Sequence, residues 1–162
     1  MATSLTRIYD AFLARITADE WTLEEELAIV ERDWQELLNM AIFRFKYPRV
    51  DLTLNEIDSS NTIDNEQLPK KEFVNDLTND EIQILALFMK HEWVKRCIAS
   101  WENIRQLYSS KDFSQANHLD KLNKLEAAIE TELNHALGVY DRSRGKRPAS
   151  LFKHLAGKKN AL

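Results

Sequence analysis

Apolar residues return at three- and four-residue steps in four separate stretches of this chain, which is the period of a helix with one buried face. Leu5, Ile8, Phe12 and Ile16, with Tyr9 and Leu13 beside them, predict a short helix over residues 4–16. Thr22-Leu23-Glu24-Glu25 has the form of a capping box, in which a hydroxyl and a glutamate three residues on satisfy each other's backbone N–H groups. It predicts a second helix to about residue 45, with Leu27, Val30, Trp34, Leu37, Ala41 and Phe45 on its stripe and Leu38 and Ile42 widening it. Tyr47-Pro48 should end that helix, because the residue before a proline is pushed out of helical geometry. A second capping box, Thr78-Asn79-Asp80-Glu81, opens the longest helix, to about residue 108, on Ile82, Leu85, Met89, Trp93 and Val94, Cys97, Trp101 and Ile104. Ser109-Ser110-Lys111-Asp112 interrupts the period. A last helix over residues 114–139 should bury Leu119, Leu122, Ile129, Leu133, Ala136 and Tyr140, with Leu125 and Leu137 at its edge.

No such stripe is stable alone, so the expected fold class is mainly α: a helical bundle of three long helices and one short N-terminal helix. Residues 48–78 between the second and third helices lack the helical period. Val50-Asp51-Leu52-Thr53-Leu54 alternates like a strand, Ser59-Ser60-Asn61 resembles a turn, and Phe73-Val74 suits a short returning strand. A connection of that length in a compact domain usually serves binding or is disordered. The expectation is a long loop or β-hairpin arm that touches a neighbour through Val50, Leu52, Leu54, Ile57, Ile63 and Phe73.

Charge divides the chain more sharply than hydropathy does. Seven lysines and arginines lie in residues 141–162 against Asp141 alone, a net +6, so the overall −4 leaves −10 on residues 1–140. The domain reading is therefore a helical bundle over 1–140 and a basic docking tail over 141–162. In the tail Arg142, Arg144, Lys146 and Arg147 form a charged linker. Leu151, Phe152 and Leu155, with Lys153 between them, then make one apolar face on a turn or two of helix. Cys97 is the single cysteine, which excludes an internal disulfide and suits synthesis in a reducing cytoplasm. No run reaches the roughly 18 apolar residues of a membrane span.

Motifs for catalysis are incomplete. Glu132-x-x-His135 has the spacing of half a di-iron site, but no second Glu-x-x-His accompanies it. His91-Glu92 begins like a zinc-protease helix, yet Lys95 stands where the second histidine belongs. Gly157-Lys158 lacks the rest of a phosphate loop, and Cys97 sits in an apolar stripe. Trp21, Trp34, Trp93 and Trp101 fit core packing better than a ligand cage. The expectation is a protein that is not an enzyme and uses no cofactor or metal. A cytosolic helical regulator binding nucleic acid through its basic tail is the alternative, though no helix-turn-helix or zinc motif supports it.

Five stretches carry a family resemblance. They are Tyr9-Asp10-Ala11-Phe12-Leu13 with Asp19-Glu20-Trp21, then Ala41-Ile42-Phe43-Arg44-Phe45-Lys46-Tyr47-Pro48-Arg49. Phe73-Val74-Asn75-Asp76-Leu77-Thr78-Asn79-Asp80-Glu81-Ile82-Gln83-Ile84-Leu85-Ala86 follows, leading into His91-Glu92-Trp93-Val94. The last is Tyr108-Ser109-Ser110-Lys111-Asp112-Phe113-Ser114. In this order they resemble the head–tail connector (adaptor) proteins of long-tailed bacteriophages, over residues 5–140. The resemblance implies a virion neck protein, made in the host bacterial cytoplasm. It would form a homo-oligomeric ring, typically of twelve copies, beneath the portal protein. A tail-side neck or stopper protein would be the next partner, and genomic DNA would pass through without sequence-specific binding. The C-terminal tail would clasp the portal, so the expected portal-binding residues are Arg142, Arg144, Lys146, Arg147, Leu151, Phe152, Lys153 and Leu155. An acidic body repeated around a ring would also line the DNA channel with negative charge.

Overall fold

A computed structural model describes residues 2–16, 27–56, 71–107 and 113–144. The chain is a mainly α bundle of four helices, α1 (Leu5–Leu13), α2 (Leu27–Arg44), α3 (Asn79–Leu107) and α4 (Phe113–Arg144). A small antiparallel sheet accompanies them, of β1 (Thr3–Ser4), β2 (Leu54–Glu56) and β3 (Lys71–Phe73), with β3 in the middle.

α3 is the axis, packed against α1, α2 and α4. Of its expected stripe Ile82, Leu85, Met89 and Val94 are buried and Trp93, Cys97 and Trp101 half-buried, and Ile84, Ala86, Leu87 and Phe88 are buried as well, so residues 84–89 are covered all round. A helix surrounded by three others has no solvent face to leave polar. The capping box at its start is formed as expected. Thr78 Oγ1 accepts the Glu81 N–H at 3.3 Å, and Glu81 Oε2 accepts the Thr78 N–H at 2.9 Å.

α1 is nine residues long, too short to be stable alone. It is held by burial of Leu5, Ile8 and Phe12, each contributing roughly 1.5–3 kcal/mol. Ser4 caps its start, accepting the Thr6 N–H at 3.3 Å. The helix stops at Leu13, short of the expected residue 16. The chain turns there, and Arg15 reaches Gln83 Oε1 on α3 at 2.6 Å and Glu132 Oε1 on α4 at 3.2 Å. On α2 the stripe Val30, Leu37, Leu38, Ala41 and Phe45 is buried as the period predicts. The capping box at residues 22–25 lies outside the described residues.

The two ends of the 48–78 connection are strapped to the bundle. The expected strand over 50–54 starts only at Leu54, because Leu52 turns its side chain into the core while Thr53 O accepts the Val74 N–H at 3.0 Å. Phe73 is fully buried and stands opposite both Thr3 and Leu54. β1 was not legible in the sequence. Thr3 is placed by its hydroxyl, which accepts the Leu77 N–H at 2.8 Å and donates to Asp76 at 3.2 Å.

α4 also departs from expectation, continuing to Arg144 instead of ending near residue 139. Gly138 is carried within the helix, and side chains of the last turn donate back to carbonyls three and four residues earlier. Arg142 Nε donates to Gly138 O at 3.0 Å and Ser143 Oγ to Tyr140 O at 2.7 Å. Residues 141–144, read from sequence as linker, are therefore the end of the bundle. The residues after Arg144 lie outside the described residues.

Candidate functional site

The root of the tail is the most tightly built polar site among the described residues. Tyr140, on the last turns of α4, is 1% exposed, and its ring packs edge-on against Phe45 at 5.5 Å. Its hydroxyl donates to Glu81 Oε1 at 2.5 Å and accepts the Arg49 N–H at 2.8 Å. The Arg49 guanidinium lies over the Tyr140 ring, 4.4 Å from its centre. It also donates to Tyr140 O at 2.8 Å and to the Ser143 hydroxyl. One arginine thus clamps the segment leaving α2 onto the last turn of α4.

Glu81 is the buried centre of this clasp, fully shielded from solvent. It accepts four hydrogen bonds, two on each oxygen: Arg49 N–H and Tyr140 O–H on Oε1, Thr78 N–H and Oγ1–H on Oε2. Burial alone would raise its pKa, but the hydrogen bonds from Tyr140, Thr78 and Arg49 outweigh it and hold the carboxyl below its ordinary value. Tyr140 is pushed up to about 12, by burial first and then by its bond to the Glu81 carboxylate. The pair therefore stays one anion and one neutral phenol across physiological pH.

A second polar node joins α2, α3 and α4. His91, 2% exposed, receives the Arg44 guanidinium on Nδ1 at 2.6 Å. Arg44 also pairs with Glu92 and stacks on Phe88 at 5.3 Å. A guanidinium can only donate, so Nδ1 holds a lone pair and the proton sits on Nε2. That atom makes no hydrogen bond and lies 3.5 Å from Glu126 Oε1. Burial lowers the His91 pKa, Arg44 and Lys95 lower it further, and Glu126 and Glu92 only partly oppose them. The neutral folded form is favoured, so the contribution of His91 to stability is complete above pH 6.5. It falls as pH drops below 6.5, where the unfolded chain takes a proton that the fold refuses, and levels off beneath the folded pKa. The slope is at most ~1.4 kcal/mol per pH unit. Thermal melts at pH 7.5, 6.5 and 5.5 should show this decline in the parent protein and a flatter profile in His91→Gln.

The expected portal-binding residues begin at this root. Arg142 is exposed on the last turn of α4, and Arg144 is the final helical residue. Lys146, Arg147, Leu151, Phe152, Lys153 and Leu155 lie outside the described residues. Of the expected arm residues, Leu52 and Phe73 are buried in the chain's own core, and Val50 and Leu54 are half-buried against it. These side chains are engaged within the monomer. Ile57 and Ile63 lie outside the described residues.

Sequence reasoning placed Glu81 and Tyr140 on their helices but missed that they meet, and missed Arg49 altogether. Glu81 and Tyr140 are 59 positions apart, and nothing local marks Arg49 as a clamp. Glu132 and His135 are both exposed on α4, with Glu132 paired to Arg15. Trp34 stacks on Tyr9 and Trp101 on His118. Among the described residues no group of three or more His, Cys, Asp or Glu could hold a metal ion, and no helix is long and apolar enough to cross a membrane. A scan against protein-family models, a search of curated proteins and a search of solved structures each found no match.

Proposed function

We propose that this chain is a head–tail connector subunit of a long-tailed bacteriophage, a structural part that forms a ring beneath the portal and leaves a channel for DNA. One observation carries the reading. Two of the stretches that resemble the family, residues 41–49 and 73–86, are far apart in sequence but bonded to one another. Arg49 at the end of the first donates its N–H to Glu81 in the second. Both grip Tyr140, at the root of the basic tail. Residues whose pattern resembles the family's thus hold Tyr140, in the last turns of the helix that precedes the segment assigned to portal docking.

The charge distribution suits the same role. Between Lys124 and Arg142, α4 carries Glu126, Glu130, Glu132 and Asp141 and no lysine or arginine. Repeated around a ring, such helices repel a DNA duplex from the wall and let it slide. The +5 of residues 145–162 is of the sign to meet an acidic groove on a partner protein. In this reading the chain binds no cofactor, and its partners are the portal, its neighbours and a tail-side neck protein. Electron microscopy of the protein mixed with portal rings tests the reading. Expected is ring-shaped density coaxial with the portal around an open channel. Bare portal rings beside unassembled protein would overturn it.

A further inference from the structure

α3 fixes the heights of the helices packed on it. On α2, Asp33 and Glu36 meet Arg96 while Arg44 meets His91 and Glu92, so α2 runs antiparallel to α3. On α4, Tyr140 meets Glu81 while Glu126 lies 3.5 Å from His91, so α4 is antiparallel to α3 as well. α2 and α4 therefore run the same way, and His91 marks a level shared by residues near 44 on one and near 126 on the other. Arg44 meets Nδ1 of that ring and Glu126 lies toward Nε2, so the two helices approach α3 from different sides.

At this level each helix leaves an apolar pair uncovered. On α2 they are Met40, 48% exposed, and Phe43, 87% exposed, three residues apart and so on one face. On α4 they are Leu125, 38% exposed, and Ala128, also exposed and at the same spacing. The charges along the two helices are opposite in sign and in register. Exposed Glu36 stands four residues before Met40, and exposed Lys121 four before Leu125. Asp33 and Glu36 share the one guanidinium of Arg96, which leaves that group of three negative. Toward the two N-termini Arg32 and Asp120 are again of opposite sign. Past the apolar pairs, exposed Lys46 follows α2, and Glu132, which holds Arg15 through one oxygen, stands four residues after Ala128. The surface that complements α2 in spacing, polarity and charge is thus carried by the same chain.

We propose that α2 of one copy docks along α4 of a second copy, with Phe43 seated over Ala128 and Met40 against Leu125. The bulky ring then meets the smallest side chain of the opposing row. Two unlike surfaces make the contact head-to-tail, and their common height along α3 is what rotation about an axis parallel to α3 requires for a closed ring. The contact rests on the ring reading above and names the neighbouring surfaces. Glu130 and Asp141 lie on the far side of α4, about 140° and 160° around it from Leu125, so the contact leaves them to the channel. Each side is small against the roughly 20–30 residues of a stable interface, so the free protein forms it transiently.

Oxidative cross-linking of the full chain at high micromolar concentration traps such a contact, with Cys97→Ser removing the native thiol and Met40→Cys and Leu125→Cys introduced together. Expected is a ladder of dimers, trimers and larger species, with peptide mapping joining position 40 to position 125. Chains with either new cysteine alone should give nothing larger than a dimer, since one thiol cannot extend a series. Phe43→Ser, at an exposed position and so compatible with an unchanged helical circular dichroism spectrum, should cut the ladder at least tenfold. Products that stop at dimers, links of 40 to 40 or 125 to 125, a 40–125 link within one chain, or a yield unaffected by Phe43→Ser would overturn the proposal. No portal is present, so each of these results leaves the connector reading to its own test by microscopy.

Discussion

Glu81→Ala is expected to lower stability by about 3 kcal/mol, and the melting temperature by roughly 10 °C. The carboxylate accepts four hydrogen bonds in a site closed to solvent. Its removal leaves the Tyr140 hydroxyl and the Arg49 and Thr78 N–H groups without their acceptor, and each unsatisfied buried donor costs roughly 1–3 kcal/mol. Loss of the capping box adds to this. Glu81→Gln should be only a partial repair. Each carboxylate oxygen accepts one backbone N–H, so the amide nitrogen faces a donor in either orientation. Tyr140→Phe alone should cost less, since it removes one donor and leaves the carboxylate its other bonds. Combined with Glu81→Ala it should cost less than the two singles together, as for residues sharing one bond. The carboxyl is held below its ordinary 4.5, so its contribution is complete above that pH and disappears as pH falls through the folded value. The acid limb of the stability curve should flatten in Glu81→Ala. Thermal melts of the parent and the four variants between pH 3 and pH 7 check all of these expectations.

This clasp also marks where reading the sequence succeeds and where it stops. The Thr78–Glu81 box is legible because both partners lie within one turn, and the buried stripe ending at Tyr140 because its period is local. The bond that joins them is set by tertiary packing, which leaves no sequence spacing to detect. The helical architecture was readable for the same reason, since the stripes on α2 and α4 each follow the 3.6-residue period. α3 outran its pattern because three helices surround its first turns, burying Ile84 and Leu87, which a one-sided stripe leaves out. Phe73 was recognisable as strand-forming. Of its two partners, Thr3–Ser4 is too short to alternate, and Leu54–Glu56 overlaps the expected strand over 50–54 only at Leu54. The end of α4 was misplaced because the charged stretch from Asp141 onward reads as a linker. The helix continues to Arg144, and Tyr140, Arg142 and Ser143 in its last turns each find a hydrogen-bond partner, which sequence propensity does not encode. The tail's chemistry was legible only as composition: seven positive charges and three apolar side chains on one face.

That composition leads to the second large effect, the loss of portal binding when the tail is removed. Because α4 runs to Arg144, the cut that spares the bundle falls after that residue and not at the composition change near residue 141. A cut at 141 would remove Ser143, which bonds both Arg49 and Tyr140 O, and would loosen the clasp along with the tail. Loss of binding would then be uninterpretable. With the chain ended at Arg144 the clasp is complete, and the bundle should melt where the full chain melts. What is lost is Lys146 and Arg147 with the Leu151–Phe152–Leu155 face. A buried aromatic anchor flanked by positive charge is where binding energy concentrates in an interface. The most direct test of the connector account is therefore the affinity of purified portal for the full chain and for residues 1–144, measured at one salt concentration with a melt of each protein. The account predicts at least ~100-fold weaker binding at an unchanged melting temperature, equivalent to about 2.7 kcal/mol or more. Equal affinity of the two chains for the portal would contradict it.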